Sequence, residues 1–380
     1  MSTPVFIHAH NVISPLGVTS AANFENALNN KTGVTKQLRV DIDDEEMHTA
    51  LIANDSFLHL VNTPNNYTRF ETLAIASVQQ TLADSTIDIT DAKTLFILST
   101  TKGNIALLED NAVNAALYKH VSLFHSAKLI AQHFNNPNIP VVISNACISG
   151  IAAMIYAKRI LENGQYDNAV IVGADTISKF VYSGFKSFHA LSKGICKPFS
   201  ADRDGINLGE AAATVILTTT HLPGQKVILK SGAIGNDANH LSGPSKTGEE
   251  LSLAITKSLR EANVSADAID FISTHGTATP YNDEMEAKAF HLAKLNDVPV
   301  NSLKGYFGHT LGAAGLLETV ISILSLENGV ILPTYNFTQL GVSVPITVCS
   351  APIAKDMHYF IKTASGFGGC NAAAVFEKVD

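Results

Sequence analysis

The residue with the strongest chemical case is Cys147, in the run Val142-Ile-Ser-Asn-Ala-Cys-Ile-Ser-Gly150. The β-branched residues before it read as a buried strand, and Ile151 to Glu162 has helical spacing, so the thiol falls at a strand-to-helix turn. Unpaired amides at a helix start carry partial positive charge and favour a thiolate. An ordinary thiol of pKa about 8.5 is only a few per cent ionised at neutral pH, so nucleophilic work needs such help. The expectation is that the helix start alone activates Cys147. Two histidines lie in comparable settings. His275, in Ser273-Thr-His-Gly-Thr-Ala-Thr-Pro280, ends a strand-like run, and His309, in Lys304-Gly-Tyr-Phe-Gly-His-Thr-Leu-Gly-Ala-Ala-Gly315, precedes a long helical one. A lone histidine is usually structural or solvated. Two in glycine-flanked turns read as donors to a developing negative charge, with small neighbours that let a substrate arm approach.

Other chemistries find less support. His120, His125 and His133 lack the i, i+4 spacing of a helical metal site, and no cysteine joins them, so no metal is expected. Gly366-Phe-Gly-Gly369 is neither a dinucleotide-binding fingerprint nor a phosphate loop, and no Gly-x-Ser-x-Gly elbow occurs. The remaining cysteines, Cys196, Cys349 and Cys370, form no CxxC pair or regular spacing. Four cysteines so placed are not a disulfide framework and point to a reducing compartment.

Strand-like and helix-like segments alternate along the chain. β-Branched runs occur at 140–144, 169–173, 213–217, 226–230, 269–273 and 298–301, and helical spacing at 70–83, 151–162, 251–262 and 316–326. This alternation predicts an α/β layered fold. Proline and glycine break it at Thr218 to Gln225, which sets a boundary between an N-terminal half, 1–220, and a C-terminal half, 221–380. Each half has a strand, a small-residue turn and a long helix ending at Glu-Asn-Gly, at 162–164 and 327–329.

The 380 residues are 46% hydrophobic and 16% charged, which excludes disorder and coiled coil. A net charge of −8 with no run of Lys or Arg excludes a nucleic-acid footprint. The N-terminus lacks the features of a signal peptide, and the most apolar stretch, 315–333, is interrupted by Glu318, Glu327 and Asn328. A cytoplasmic protein without membrane insertion is expected.

These motifs together resemble the β-ketoacyl-acyl-carrier-protein synthases, decarboxylating condensing enzymes of the thiolase-fold superfamily. The likeness runs through nearly the whole chain. It is carried by Ser14-Pro-Leu-Gly17, Ala146-Cys147, Lys197-Pro-Phe-Ser-Ala-Asp-Arg-Asp-Gly205, Leu208-Gly-Glu210, Thr274-His-Gly-Thr277 with Pro280, Asp283 and Glu286, Lys304 with Gly308-His309, Leu311-Gly-Ala-Ala-Gly315 with Glu318, and Gly366-Phe-Gly-Gly369 with Asn371. The resemblance implies a thiolase-like fold of two similar βα halves layered α-β-α-β-α. It makes Cys147 the acyl carrier, and His275 and His309 the groups that stabilise the enolate formed as malonyl-carrier protein loses CO2. Lys304 would pair with Glu318 and orient the histidines, and the amides of Cys147 and Phe367 would hold an oxyanion. Asp283, Glu286, Arg203 and Asp204 are read mainly as loop-fixing.

The sequence departs from the family pattern around the acyl pocket. Asn145, Ile148 and Ser149 flank the nucleophile, and Ser365 and Cys370 stand where Phe and Thr are usual. Chain-length preference, and the choice between fatty-acid and polyketide or polyene synthesis, stay open. The resemblance implies no cofactor, the substrates being carried on phosphopantetheine of an acyl-carrier protein. Lys102, Lys193, Lys197 and Arg203 are candidate docking residues for that acidic partner. A homodimer is expected through the apolar strand 140–144, or a heterodimer with a chain-length-factor-like protein. The alternatives are a CoA-dependent thiolase-type acyltransferase, for which Cys370 would be the second cysteine, and a subunit of a ketosynthase–chain-length-factor complex.

Overall fold

In the computed structural model, which describes residues 3–112, 114–238 and 243–379, eleven strands form one mixed sheet. In chain order they are β1 (Phe6–Ile13), β2 (Thr94–Ser99), β3 (Val141–Ile143), β4 (Asn168–Asp175), β5 (Ala211–Thr218), β6 (Val227–Asn236), β7 (Phe271–Ser273), β8 (Pro299–Asn301), β9 (Thr347–Val348), β10 (Tyr359–Gly366) and β11 (Cys370–Lys378). Their spatial order is β9-β8-β7-β10-β11-β6-β1-β5-β4-β2-β3.

That order is one pattern used twice. In β1 to β5 the strands lie as third, second, fourth, fifth, first. Set β9 aside, and β6, β7, β8, β10 and β11 repeat that order. The pairing senses repeat too: β2 is parallel to β3 and β4 while β5 is antiparallel to β4 and β1. Likewise β7 is parallel to β8 and β10, and β11 is antiparallel to β10 and β6. The two copies meet at one antiparallel pair, Phe6 with Ile228.

Strands buried on both faces explain the apolar runs of the sequence. Leu95, Ile97, Ala169 and Ile171 face the central core, while their neighbours Phe96, Leu98, Val170 and Val172 face an outer core. The outer core of the first copy is completed by helices α1 (Arg69–Ala83) and α2 (Leu123–His133). In the second copy α4 (Glu249–Ala262) and α5 (Pro280–Leu292) pack on Ile272, Val300, Ile361 and Val375.

Between the two sheet halves lie α3 (Ser149–Glu162) and α6 (Ala314–Asn328), which give the layers α-β-α-β-α. They cross backbone to backbone. A Cβ on Gly150 would stand 2.6 Å from the Leu316 nitrogen, and one on Gly315 would stand 2.7 Å from the Ile151 nitrogen. The apolar stretch 315–333 is accounted for here, since α6 is buried almost throughout, as a helix apolar on all sides must be. Each of these helices begins just after the turn that carries candidate chemistry.

Among the described residues the β3 edge pairs on one side only, with β2, and Ile139 just before it is 77% exposed.

Candidate active site

The first copy supplies the sulfur. β3 ends at Ile143, and the chain turns through Ala146 at φ 44°, a left-handed conformation that is costly for a residue with a Cβ. The turn is tied by its own polar groups: the Asn145 N–H donates to Ser149 Oγ at 2.8 Å, and that hydroxyl donates to the Ala146 carbonyl at 2.6 Å. Cys147 is thereby pushed out at the head of α3.

The second copy supplies the histidines. After β8, the short Lys304–Phe307 helix leads to Gly308 at φ 65°, where a Cβ would collide with the Leu208 carbonyl oxygen at 2.7 Å. The close approach is used, because the His309 N–H donates to the Asn207 carbonyl at 2.7 Å and Gly209 N–H to the His309 carbonyl at 3.0 Å. The Leu208-Gly-Glu210 segment thus holds His309 by its backbone. Its Glu210 accepts from the Ile52 and Ile177 amides and from Arg69, tying three segments together. His275 follows β7, and its N–H and that of Gly276 donate to the two oxygens of Glu286 at 2.8 and 2.6 Å.

The copies bring these side chains together. His309 Nε2 lies 2.9 Å from Cys147 Sγ, and the His275 and His309 rings meet edge-to-face with centroids 5.2 Å apart. Both Nδ1 atoms are buried without a hydrogen-bond partner among the described residues. Among the described residues no carboxylate hydrogen-bonds to either ring, so neither imidazolium has a direct acidic partner. Burial, with the neighbouring Lys304 and Lys362, holds both histidines well below their ordinary pKa. Two neutral imidazoles are suited to donating hydrogen bonds to a forming oxyanion.

Sequence reasoning put the thiol on the wrong side of its ordinary pKa. Burial pushes Cys147 up to about 12, outweighing Lys304 and the Phe367 N–H directed at the sulfur. Desolvation of a charge in the protein interior exceeds what one helix start returns. Cys147 and His309 therefore rest as a neutral thiol–imidazole pair, and His309 is placed to act on the sulfur as well as on a second substrate.

Lys304 pairs with Glu318, both almost fully buried. The other Glu318 oxygen is 2.6 Å from the ammonium of Lys362, which the sequence did not single out. Phe367 is at the mouth, 39% exposed, packed on Phe185 and Phe188 with centroids 5.6 and 5.5 Å away. Its loop closes on the nucleophile: a Cβ on Gly366 would come within 3.0 Å of the Cys147 nitrogen. Cys147, His275, His309, Phe185, Phe188 and Phe367 line a cleft of ≈ 520 Å³ that also reaches Thr277, Thr279, Ser365 and Asn371, with Lys304, Glu318 and Lys362 buried outside its wall.

Asp283 does not reach the sulfur. It accepts from the Phe199 N–H at 2.7 Å and lies 3.8 Å from Arg203 Nε, a loop-fixing role. Arg203 is a correction to the docking set, since its head is spent on the carbonyls of Ser200, Gly341 and Pro280. Lys102 lies over the Phe180 ring and Lys197 is paired with Asp202. Asp175, at the end of β4, was also missed: it accepts from Thr100, Thr101, Lys102 and Gly312 and so anchors the start of the turn into α6. Cys147, His275 and His309 bring possible ligand atoms within 4.8 Å of one another, so a soft cation would compete for the atoms that acyl chemistry would use.

Two family models match the chain: the beta-ketoacyl synthase N-terminal domain over residues 2–222 and its C-terminal domain over 226–338. The 3-oxoacyl-(acyl-carrier-protein) synthase 2 of Vibrio harveyi is 27% identical, the alignment covering 99% of this chain and 98% of that protein. Among solved structures, the ishigamide ketosynthase/chain length factor superposes with a TM-score of 0.91 at 23% identity, all of both chains being covered. The Xenorhabdus doucetiae ketosynthase ApeO in complex with its chain length factor ApeC superposes at 0.84 with 25% identity, covering 99% of this chain and 98% of that one.

Proposed function

The chain belongs to the beta-ketoacyl synthase family, and from that premise we propose that it joins an acyl group on Cys147 to the carbanion released from malonyl-carrier protein. The observation that carries the reading is the 2.9 Å contact between Cys147 Sγ and His309 Nε2, with His275 beside it in a buried cleft.

The proposed sequence has two stages. In loading, Cys147 Sγ attacks the acyl thioester as its proton passes to His309 Nε2, and the pantetheine thiol leaves with a proton. In condensation, malonyl thioester binds with its carbonyl oxygen toward the His275 and His309 N–H groups. CO2 departs and the electron pair moves into an enolate held by those two donors. The enolate carbon attacks the acyl carbonyl, whose oxygen is received by the Cys147 and Phe367 amides. Collapse expels the Cys147 sulfur as a thiolate, which takes a proton from solvent water in place of the one that left with the pantetheine thiol, and the β-ketoacyl thioester leaves on its carrier. Every group named is supplied by the chain or by carrier-bound substrates, so we propose no resident cofactor.

We further assign the acyl-carrier protein as partner, a cytoplasmic location and a two-fold dimer through β3. Unpaired cysteines fit a reducing compartment. An edge strand with apolar side chains is stable when a second strand covers it. A chain-length-factor partner is favoured over a second copy by both solved relatives named above, and size-exclusion of the protein alone and with that partner separates the two. The CoA-dependent thiolase reading loses ground because Cys370 turns its sulfur toward the carbonyls of Phe367 and Asn145.

Intact mass spectrometry with a panel of acyl-carrier proteins, followed by malonyl-carrier protein, tests the function. The reading requires an acyl adduct on Cys147 and then its discharge with release of CO2. An adduct on another cysteine, or loading that malonyl-carrier protein never discharges, would overturn it.

A further inference from the structure

A buried lysine that the reaction above does not use stands behind both histidines. Lys362 lies in β10, a strand of buried residues, and its side chain has no exposure. A lysine is almost never fully buried unless its charge is met. Here the ammonium donates to the carbonyls of Ser273 and Thr274 at 3.2 and 2.8 Å and forms an ion pair at 2.6 Å with Glu318. Those two carbonyls belong to the residues immediately before His275. Glu318 is also the partner of Lys304, which lies one turn and a glycine before His309. One ammonium thus ties the His275 segment to the carboxylate that anchors the His309 segment.

The charges around the histidines are balanced only if Lys362 is counted. Glu286 accepts from four donors, the His275 and Gly276 amides, Asn282 and Thr363. With Glu318 it sets two carboxylates against Lys304 and Lys362. Cys147 completes the cluster, with Cys370 and Asp175 near its sulfur and the Asp283–Arg203 pair beside Glu286, and Asp204 and Asp237 stand on the cleft wall. Removing Lys362 would leave a surplus negative charge beside two imidazoles that must stay neutral to donate.

Resting on the condensing-enzyme reading, we propose that Lys362 is a positioning residue: it fixes His275 against His309 and keeps both in the neutral, donating form. Its removal is felt in decarboxylation, where both donors act on one oxygen, and far less in loading, which needs only the Cys147–His309 contact. The direction of the pH effect follows. Lys362 is one of the charges that depress both histidines, so its loss lets them take up a proton at a higher pH. The acid limb of decarboxylation must then move to higher pH.

The test compares Lys362→Met and Lys362→Gln with wild type, measuring acyl loading by mass and CO2 release from malonyl-carrier protein across pH. Loading should stay within about threefold, CO2 release should fall about 10- to 100-fold, and the acid limb should rise by about one pH unit. A purely structural lysine would lower both steps together and leave the limb in place, and that result overturns the proposal. So does a neutral variant with wild-type CO2 release. If neither variant folds, Lys362→Arg decides, because it keeps the charge while moving the donors. CO2 release reduced tenfold with loading kept within about threefold and an unmoved acid limb supports the clamp, whereas wild-type turnover, or loading lowered along with CO2 release, refutes it. Wild-type enzyme that neither loads nor releases CO2 would refute the condensing reading itself, a separate outcome.

Discussion

Replacing His309 by Ala tests whether Cys147 is activated by its own surroundings or by its neighbour. With the thiol at about 12, about one molecule in ten thousand is thiolate at pH 8. An ordinary thiol of pKa about 8.5 would be about one-quarter ionised, so burial withholds a factor of about two thousand. In the proposed reaction His309 Nε2, 2.9 Å from the sulfur, would recover that factor by accepting the proton as the carbon–sulfur bond forms. His309→Ala should therefore slow acyl transfer to Cys147 by about 10²- to 10⁴-fold. The residual rate should then depend on the rare thiolate and climb about tenfold per pH unit from pH 7 to 9, while wild type stays nearly flat. Quenched-flow mixing with an acyl-carrier protein, read by intact mass, measures both, and a melting curve checks that the variant is folded. Loading at the wild-type rate, or a residual rate indifferent to pH, would show that the thiol is ionised without His309.

Three further outcomes follow from the same geometry. Cys147→Ala should abolish acyl loading, while His275→Ala should load normally and release CO2 at least about a hundredfold more slowly, both read by mass and by CO2 capture. Gly150→Ala forces a methyl to 2.6 Å from the Leu316 nitrogen, so urea unfolding should show a loss of about 1–3 kcal/mol, and the misaligned turns should lower condensation too. Val142→Asp puts a charge on the open edge strand and should leave light scattering with a monomer or aggregates and condensation lost, whereas an active monomer would remove the dimer from the account.

Much of this could be read from residue order, and the exceptions have physical causes. Helices at 70–83, 151–162, 251–262 and 316–326 are recovered to within two residues at each end, because small and aliphatic residues repeat at 3.6 spacing wherever a helix covers a sheet. Strands β1, β2, β9, β10 and β11 lay outside the runs read from the sequence, although β2, Thr94-Leu-Phe-Ile-Leu-Ser99, is an apolar run like those that were read. β1 interleaves His8 and His10 with its apolar residues, and the middle of β11 is three alanines, Ala372 to Ala374, which have little strand preference of their own. Cys147, His275 and His309 stood out because each lies in a turn of small residues. Lys362 and Asp175 did not, being single polar residues in apolar strands whose partners come from distant segments. A lysine in the middle of Phe360-Ile-Lys-Thr-Ala364 was a signal nonetheless, since a strand buried on both faces must have something to offer its charge. The thiol's protonation was misjudged because a helix start is visible in sequence and the depth of burial is not.

The doubled strand order has a consequence for how the reaction is divided. The Cys147 turn and the Lys304–His309 turn occupy equivalent places, each between the third strand of its copy and the helix that enters the middle layer. In the proposed reaction one copy would hold the electrophile and the other would generate the nucleophile, so the two poles of a single bond-forming step would reside in two repeats of one plan. Neither repeat is a smaller, weaker enzyme. A chain severed in the 219–226 connection would yield two fragments, each with one inert pole, and turnover would appear only as they reassemble, rising with the product of their concentrations until the complex saturates.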